Sequence, residues 1–162
     1  MTKSLNKNHG GPLTDREFQY IYSKVPRLCV DVMVKSHKGV ILTLRDIEPY
    51  KNFWHIPGGT VHYRETIIGA VERIAKKELG IRVSGIEMLG FIEYPSELKL
   101  RGWGWTVSLV IGCKLKSGKL DIGREARDLM YLKTLKDLPL DLVSEQKNFI
   151  KQKIRKNWLR AK

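Results

Sequence analysis

Apolar and polar positions along this chain follow two different periods, and the switches between them outline the elements. In LCVDVMVK (28–35) and GVILTLR (39–45) β-branched residues dominate. Two such runs separated by the polar, glycine-containing SHKG predict antiparallel strands joined by a hairpin turn. From Arg64 to Leu79 the spacing changes: Ile67, Ile68, Val71, Ile74, Ala75 and Leu79 recur at three- and four-residue steps, as in a helix buried along one side. Near the start, Thr14 followed by Glu17 forms a capping-box pattern, and Phe18, Ile21 and Tyr22 add a short apolar stripe. A first helix near 15–23 follows, ending before Pro26. Pro49 to Asn52 reads as a loop, FWHIP as a brief extended segment, and Gly58-Gly59 as a break before the long helix. IEMLGFIEY (86–94), GWTVSLVIGCKLK (104–116) and LMYLK (129–133) predict three further strands. Strands on both sides of a helix predict an α/β fold with a mixed β-sheet, not an all-β barrel.

The chain has 162 residues, enough for one ordinary domain and too few for two comfortable ones. The expected organisation is a flexible tail over residues 1–12 and a single domain over 13–162. No apolar run approaches the roughly eighteen residues that a membrane span needs, and the opening MTKSLNKNHGGP contains no apolar stretch of signal-peptide type. Cys29 and Cys113 lie far apart in strand-like runs without metal-ligand spacing, so they read as buried reduced thiols. These features favour the cytoplasm.

Charge adds one candidate for chemistry. Lys+Arg total 30 against 17 Asp+Glu, a formal net charge of +13, which draws polyanions or phosphorylated small molecules to the surface. Much of the excess sits at the end, where Lys147, Lys151, Lys153, Arg155, Lys156, Arg160 and Lys162 face Glu145 alone. Ile150, Ile154 and Trp158 recur every four residues there, giving a basic helix with an apolar seam. A terminal helix docked on its own domain, with solvated lysines, is the plainer reading. A nucleic-acid or acidic-membrane role is the alternative.

The segment HIPGGTVHYRETIIGAVERIAKKELGI (55–81) carries the most specific signal. Gly59, Glu65, Arg73, Ala75 (as a small stand-in for an aliphatic residue), Glu78, Gly80 and Ile81 fall where the Nudix box, G-x5-E-x7-R-E-U-x-E-E-x-G-U, has its fixed positions. Ile74 and Lys77 stand where that pattern has glutamates. The segment therefore resembles a Nudix loop-helix depleted in acids. The resemblance implies a Nudix-type α/β/α sandwich. In the general family, carboxylates on one helical face collect divalent cations that bridge a diphosphate. With Glu78 left as the acid at those positions, the expectation is one Mg2+ or Mn2+, bound mainly together with substrate.

The same reduced box occurs in the GDP-mannose mannosyl hydrolases, and the similarity to them extends through VPRLCVDVMV and LTLRDIEPYKNFWHIPGG to about residue 138. That resemblance implies a nucleoside diphosphate sugar as substrate, with water attacking the sugar C1 and a nucleoside diphosphate leaving. It assigns Glu78 and the Gly58 carbonyl to the metal, Arg45 to the departing diphosphate, and matches Arg73 and Asp31 to a helix arginine and a first-strand acid. For Asp31 a solvated strand face is an equal reading. For Arg73 a salt bridge to Glu65, bracing loop against helix, competes with substrate contact, and Glu65 reads as a brace before a ligand. Glu125 aligns with a glutamine ligand and Ala126 with the histidine base, so Glu125 serves as metal ligand, base or both. Tyr94 aligns with a further histidine and joins the substrate-binding candidates. His62 and Asp128 are other proton-transfer candidates, although a plain loop histidine explains His62. Thr60 replaces an arginine beside Gly59. Trp103 and Trp105 suit core packing, a dimer interface or base stacking, and a homodimer is the expected assembly. Attack at phosphorus, or a catalytically silent nucleotide- or RNA-binding module, are the competing readings. Lys77 is expected to swing into solvent, with a share in neutralising the departing diphosphate as the alternative.

Overall fold

The computed structural model describes residues 12–155; residues 1–11 of the expected 1–12 tail and the seam residue Trp158 lie outside them. α1 (Asp15–Tyr22) starts at Thr14, which with Glu17 forms the anticipated capping box. β1 (Arg27–Ser36) and β2 (Gly39–Arg45) are antiparallel, in register at Lys35 and Val40. β3 (Trp54–His55) and β4 (Gly58–Thr60) come next, then α2 (Ile67–Leu79), β5 (Arg82–Tyr94), α3 (Pro95–Arg101), β6 (Thr106–Ser117), β7 (Ala126–Leu132) and α4 (Ser144–Arg155). The sheet runs β3-β2-β1-β6-β5, with β4 on β1 and β7 on β2. β1 and β6 are parallel, so the sheet is mixed as expected.

Two apolar layers hold helices on opposite faces of this sheet. Ala70, Val71, Ile74, Ala75 and Leu79 of α2 pack with Val30, Val32, Val34 and Ile41. Phe149 and Ile150 of α4 pack with Met33, Val40, Leu42, Ile92 and Val110. Strand alternation explains the division: even-numbered β1 valines face α2, and Met33 faces α4. β1 is thus covered on both faces, and Cys29 to Val34 are all buried. Each fully buried aliphatic side chain contributes roughly 1.5–3 kcal/mol, so the two layers fix the sheet between its helices. Cys29 and Cys113 are buried free thiols, as the sequence suggested. Trp103 packs edge-on against Phe18 of α1, with ring centroids 6.2 Å apart.

The same pairing opens a split. β1 and β2 are in register near their turn, but farther along β2 pairs with β3 at Thr43 and His55, whereas β1 pairs with β4 at Asp31 and Gly58. The short link from His55 to Gly58 bridges the parted strands, and a cleft opens there.

Candidate active site

The cleft has a volume of about 720 Å³, and its walls include Arg27, Asp31, Arg45, Gly58, Arg73, Lys77, Glu78, Tyr94, Glu97 and Glu125. A smaller recess of about 320 Å³ adjoins it between His55, Glu78 and the Gly123–Ala126 loop. Sequence-predicted residues scattered from 31 to 125 therefore converge on one cavity. His62 and Asp128 are not on its walls.

α2 supplies the acid end. Its N-cap is Thr66, whose hydroxyl accepts from Gly69 N–H, so the helix starts at the first apolar position, Ile67, three residues after the expected start at Arg64. The backbone at Arg64 has φ 63 and is part of the entering loop, not of the helix. Ile74, at a position where the box pattern has a glutamate, is 1% exposed in the core and packs under Gly59. Glu78 lies one turn on along the same stripe and is buried at the cleft wall. Burial first, then the neighbouring Glu125 carboxylate, push its pKa up to about 8. The two carboxylates share the wall of a partly desolvated cleft, where a divalent cation would relieve their repulsion. Among the described residues no three His, Cys, Asp or Glu side chains converge as a metal cage. A hard divalent cation here would need water, a backbone carbonyl and substrate phosphates to complete its shell.

The loop carrying Glu125 is docked by backbone contacts. Asp121 N–H donates to Leu79 O and Gly123 N–H to Glu78 O, each at 3.0 Å, satisfying carbonyls at the C-terminal end of α2. A side chain on Gly123 would stand 2.7 Å from the Lys77 carbonyl, so glycine permits the approach. On the other side β7 pairs with β2 through a register shift at Leu44/Arg45, so that Arg45 sits opposite Ala126. Such irregularities re-aim side chains at sheet ends, and here the shift sets Arg45 beside the loop. Arg45 Nε donates to Pro49 O at 2.9 Å.

Several expectations need correcting or refining. Lys77 does not hang free in solvent: although partly exposed, its Nζ lies 2.6 Å from Glu125 Oε1. Asp31 is not on a solvated face: it projects from the side of β1 that α4 covers, as Met33 does, and is buried. Tyr94 Oη donates to Asp31 Oδ2 at 2.5 Å and accepts from Gln146 Nε2 at 2.9 Å. Burial, only partly offset by the Tyr94 hydroxyl, raises the Asp31 pKa to about 6. Gly58 approaches so closely that a side chain there would collide with Asp31 Oδ1 and stand 2.8 Å from Val30 O. Arg73 has the geometry of the brace: Nε and Nη2 reach Glu65 at 2.6 and 2.8 Å, and Nη2 also donates to Thr60 O at 2.9 Å. That hydrogen-bonded pairing holds the Glu65 carboxyl down at about 2. His62 N–H donates to the same Glu65, while the His62 ring has an unpartnered Nε2.

Other residues were not anticipated. His55 Nε2 lies 3.0 Å from Thr43 Oγ1, and burial followed by the charge of Arg45 keeps its pKa well down. At the other end of the cleft Arg27 Nη2 binds Glu97 Oε1 at 2.5 Å, and Thr106 donates to the same carboxylate. Glu97 belongs to α3, whose Pro95 near the start and Gly102 just past the end are start and stop signals present in the sequence. Gln146 comes from α4 and carries no comparable signal.

This chain belongs to the Nudix hydrolase family: the NUDIX domain model matches residues 25–152. Over 82 residues it is 38% identical to Agl8, a low-salt glycan biosynthesis protein of Haloferax volcanii, covering 51% of this chain and 53% of that protein. The match thus spans about half of that relative's length. An ADP-ribose pyrophosphatase of Methanocaldococcus jannaschii is 28% identical over 137 residues, 85% of this chain and 75% of that one. A MutT NUDIX hydrolase structure from Burkholderia pseudomallei superposes with a TM-score of 0.70 at 23% identity, covering 79% of this chain and 98% of that one. That last likeness bears on the fold.

Proposed function

We propose that this protein hydrolyses a nucleoside diphosphate sugar in the manner of the GDP-mannose mannosyl hydrolases, with water attacking the sugar C1 and the nucleoside diphosphate leaving. The observation carrying this reading is the charge pattern at the acid end: buried Glu78 with Glu125 nearby, beside Arg45 and Lys77. This set holds too few acids to gather several bare divalent ions, yet suits charge building on a departing diphosphate. A single Mg2+ or Mn2+, held by Glu78, Glu125 and the Gly58 carbonyl, would neutralise part of that charge when bound. Arg45 presents a guanidinium fork suited to phosphate oxygens. Glu125, half-buried in a loop pinned to α2, is the carboxylate in position to take a proton from water. Asp31 and Tyr94, fixed by Gln146, offer sugar hydroxyls a hydrogen-bonding wall. The relative involved in glycan biosynthesis is in keeping with a sugar nucleotide.

A second reading is attack at phosphorus, favoured by the similarity to an ADP-ribose pyrophosphatase and by the glutamate at 125. Turnover of a panel of nucleotide sugars with Mg2+ or Mn2+, including GDP-mannose and ADP-ribose, tests the reading. The expected result is hydrolysis of a nucleotide sugar that falls about 100-fold or more in Glu78→Gln and in Glu125→Gln, with unchanged far-UV circular dichroism. Tight binding across the panel with no turnover would instead favour a silent binding module.

A further inference from the structure

Lys77 is the cleft residue whose position the sequence did not foresee. Its ammonium and the Glu125 carboxylate close across the acid end from α2 to the 121–125 loop, 2.6 Å apart. The backbones beneath are locked by the Gly123 and Asp121 hydrogen bonds to α2. The side chains are less constrained, with 47% of Lys77 and 31% of Glu125 accessible. A pair this open contributes little, so a stronger anion entering the cleft competes for the ammonium. Both partners line the cleft next to Glu78, which makes Lys77 a positive charge directly beside the two carboxylates suited to a metal ion.

We propose that Lys77 is an exchangeable cation that binds a diphosphate oxygen of the ligand and, in moving to it, releases Glu125. This inference rests on reading the cleft as a diphosphate site. Lys77 therefore does two opposed things: it strengthens phosphate binding, and with no phosphate present it competes with a metal for Glu125. The two couplings carry opposite signs in one side chain. A residue that merely braced the loop would not produce that signature.

The test uses the full chain in two titrations. GDP is titrated calorimetrically in the presence of EDTA, and free Mn2+ is counted by electron paramagnetic resonance without nucleotide. Lys77→Met should weaken GDP binding about tenfold, the worth of one charge-assisted contact. The same variant should tighten Mn2+ binding about three- to tenfold. Lys77→Arg should keep most of the GDP affinity. Unchanged GDP affinity in Lys77→Met, or losses in both titrations together, would overturn the proposal. Absence of GDP binding by the wild-type chain would overturn both this inference and the reading it rests on.

Discussion

Asp31 shows how far a single residue departs from what its neighbours in sequence suggest. The alternation Val30-Asp31-Val32 reads equally as a polar face, but α4 packs over that face, and Asp31 is 5% exposed. Its folded pKa of about 6 lies above the ordinary 3.8. A raised carboxyl pKa favours folding below the unfolded value and loses that contribution as pH rises through the folded one. Asp31→Asn, which retains an acceptor for Tyr94, should therefore gain on the wild type as pH rises from about 4 to 7, by about 2–3 kcal/mol. Denaturant unfolding at the two pH values checks this, and a pH-independent difference would contradict it. The burial of Cys29 and Cys113 was legible because apolar strand runs enclose them. The Lys77–Glu125 pair was not, since their meeting depends on a loop 48 residues away.

At the scale of elements, α2 and its entering loop act as one unit through Glu65 and Arg73. The Glu65 pKa near 2 makes that brace a stability term present above about pH 4.5 and lost as pH falls towards 2. Glu65→Gln should cost about 1 kcal/mol at pH 7, after discounting for partial exposure, and converge with wild type near pH 2. Thermal unfolding against pH measures both limits. Gly123→Ala should push the loop off the Lys77 carbonyl and lower turnover about tenfold or more, because small misplacements of reacting groups are costly. Retained activity would mean the loop position is not critical. The box residues made α2, its end at Gly80 and the brace readable at fixed spacing. The expected start of α2 at Arg64 lies three residues early because the Thr66 cap sets the boundary; the apolar pattern itself begins at Ile67, where the helix does. α3 went unseen because its 7 residues carry too few apolar positions for a period to show.

Across the whole molecule, the cleft exists because β1 and β2 part company and β3 and β4 take their places. No local pattern encodes that split. It follows from β1 pairing in parallel with β6 while β7 joins β2, and so the distal Arg27–Glu97 end and Gln146 entered the site unannounced. The chemistry is set by how the charges fall along this cleft: a buried glutamate and a loop glutamate at one end, with an arginine and a lysine beside them. We propose that this set serves a departing diphosphate and leaves the attack to carbon. Hydrolysis of GDP-mannose, or whichever nucleotide sugar is turned over, in ¹⁸O-labelled water tests this most directly. The label should appear on the sugar C1 hydroxyl, with an unlabelled nucleoside diphosphate. Label in a phosphate product would contradict it and establish attack at phosphorus.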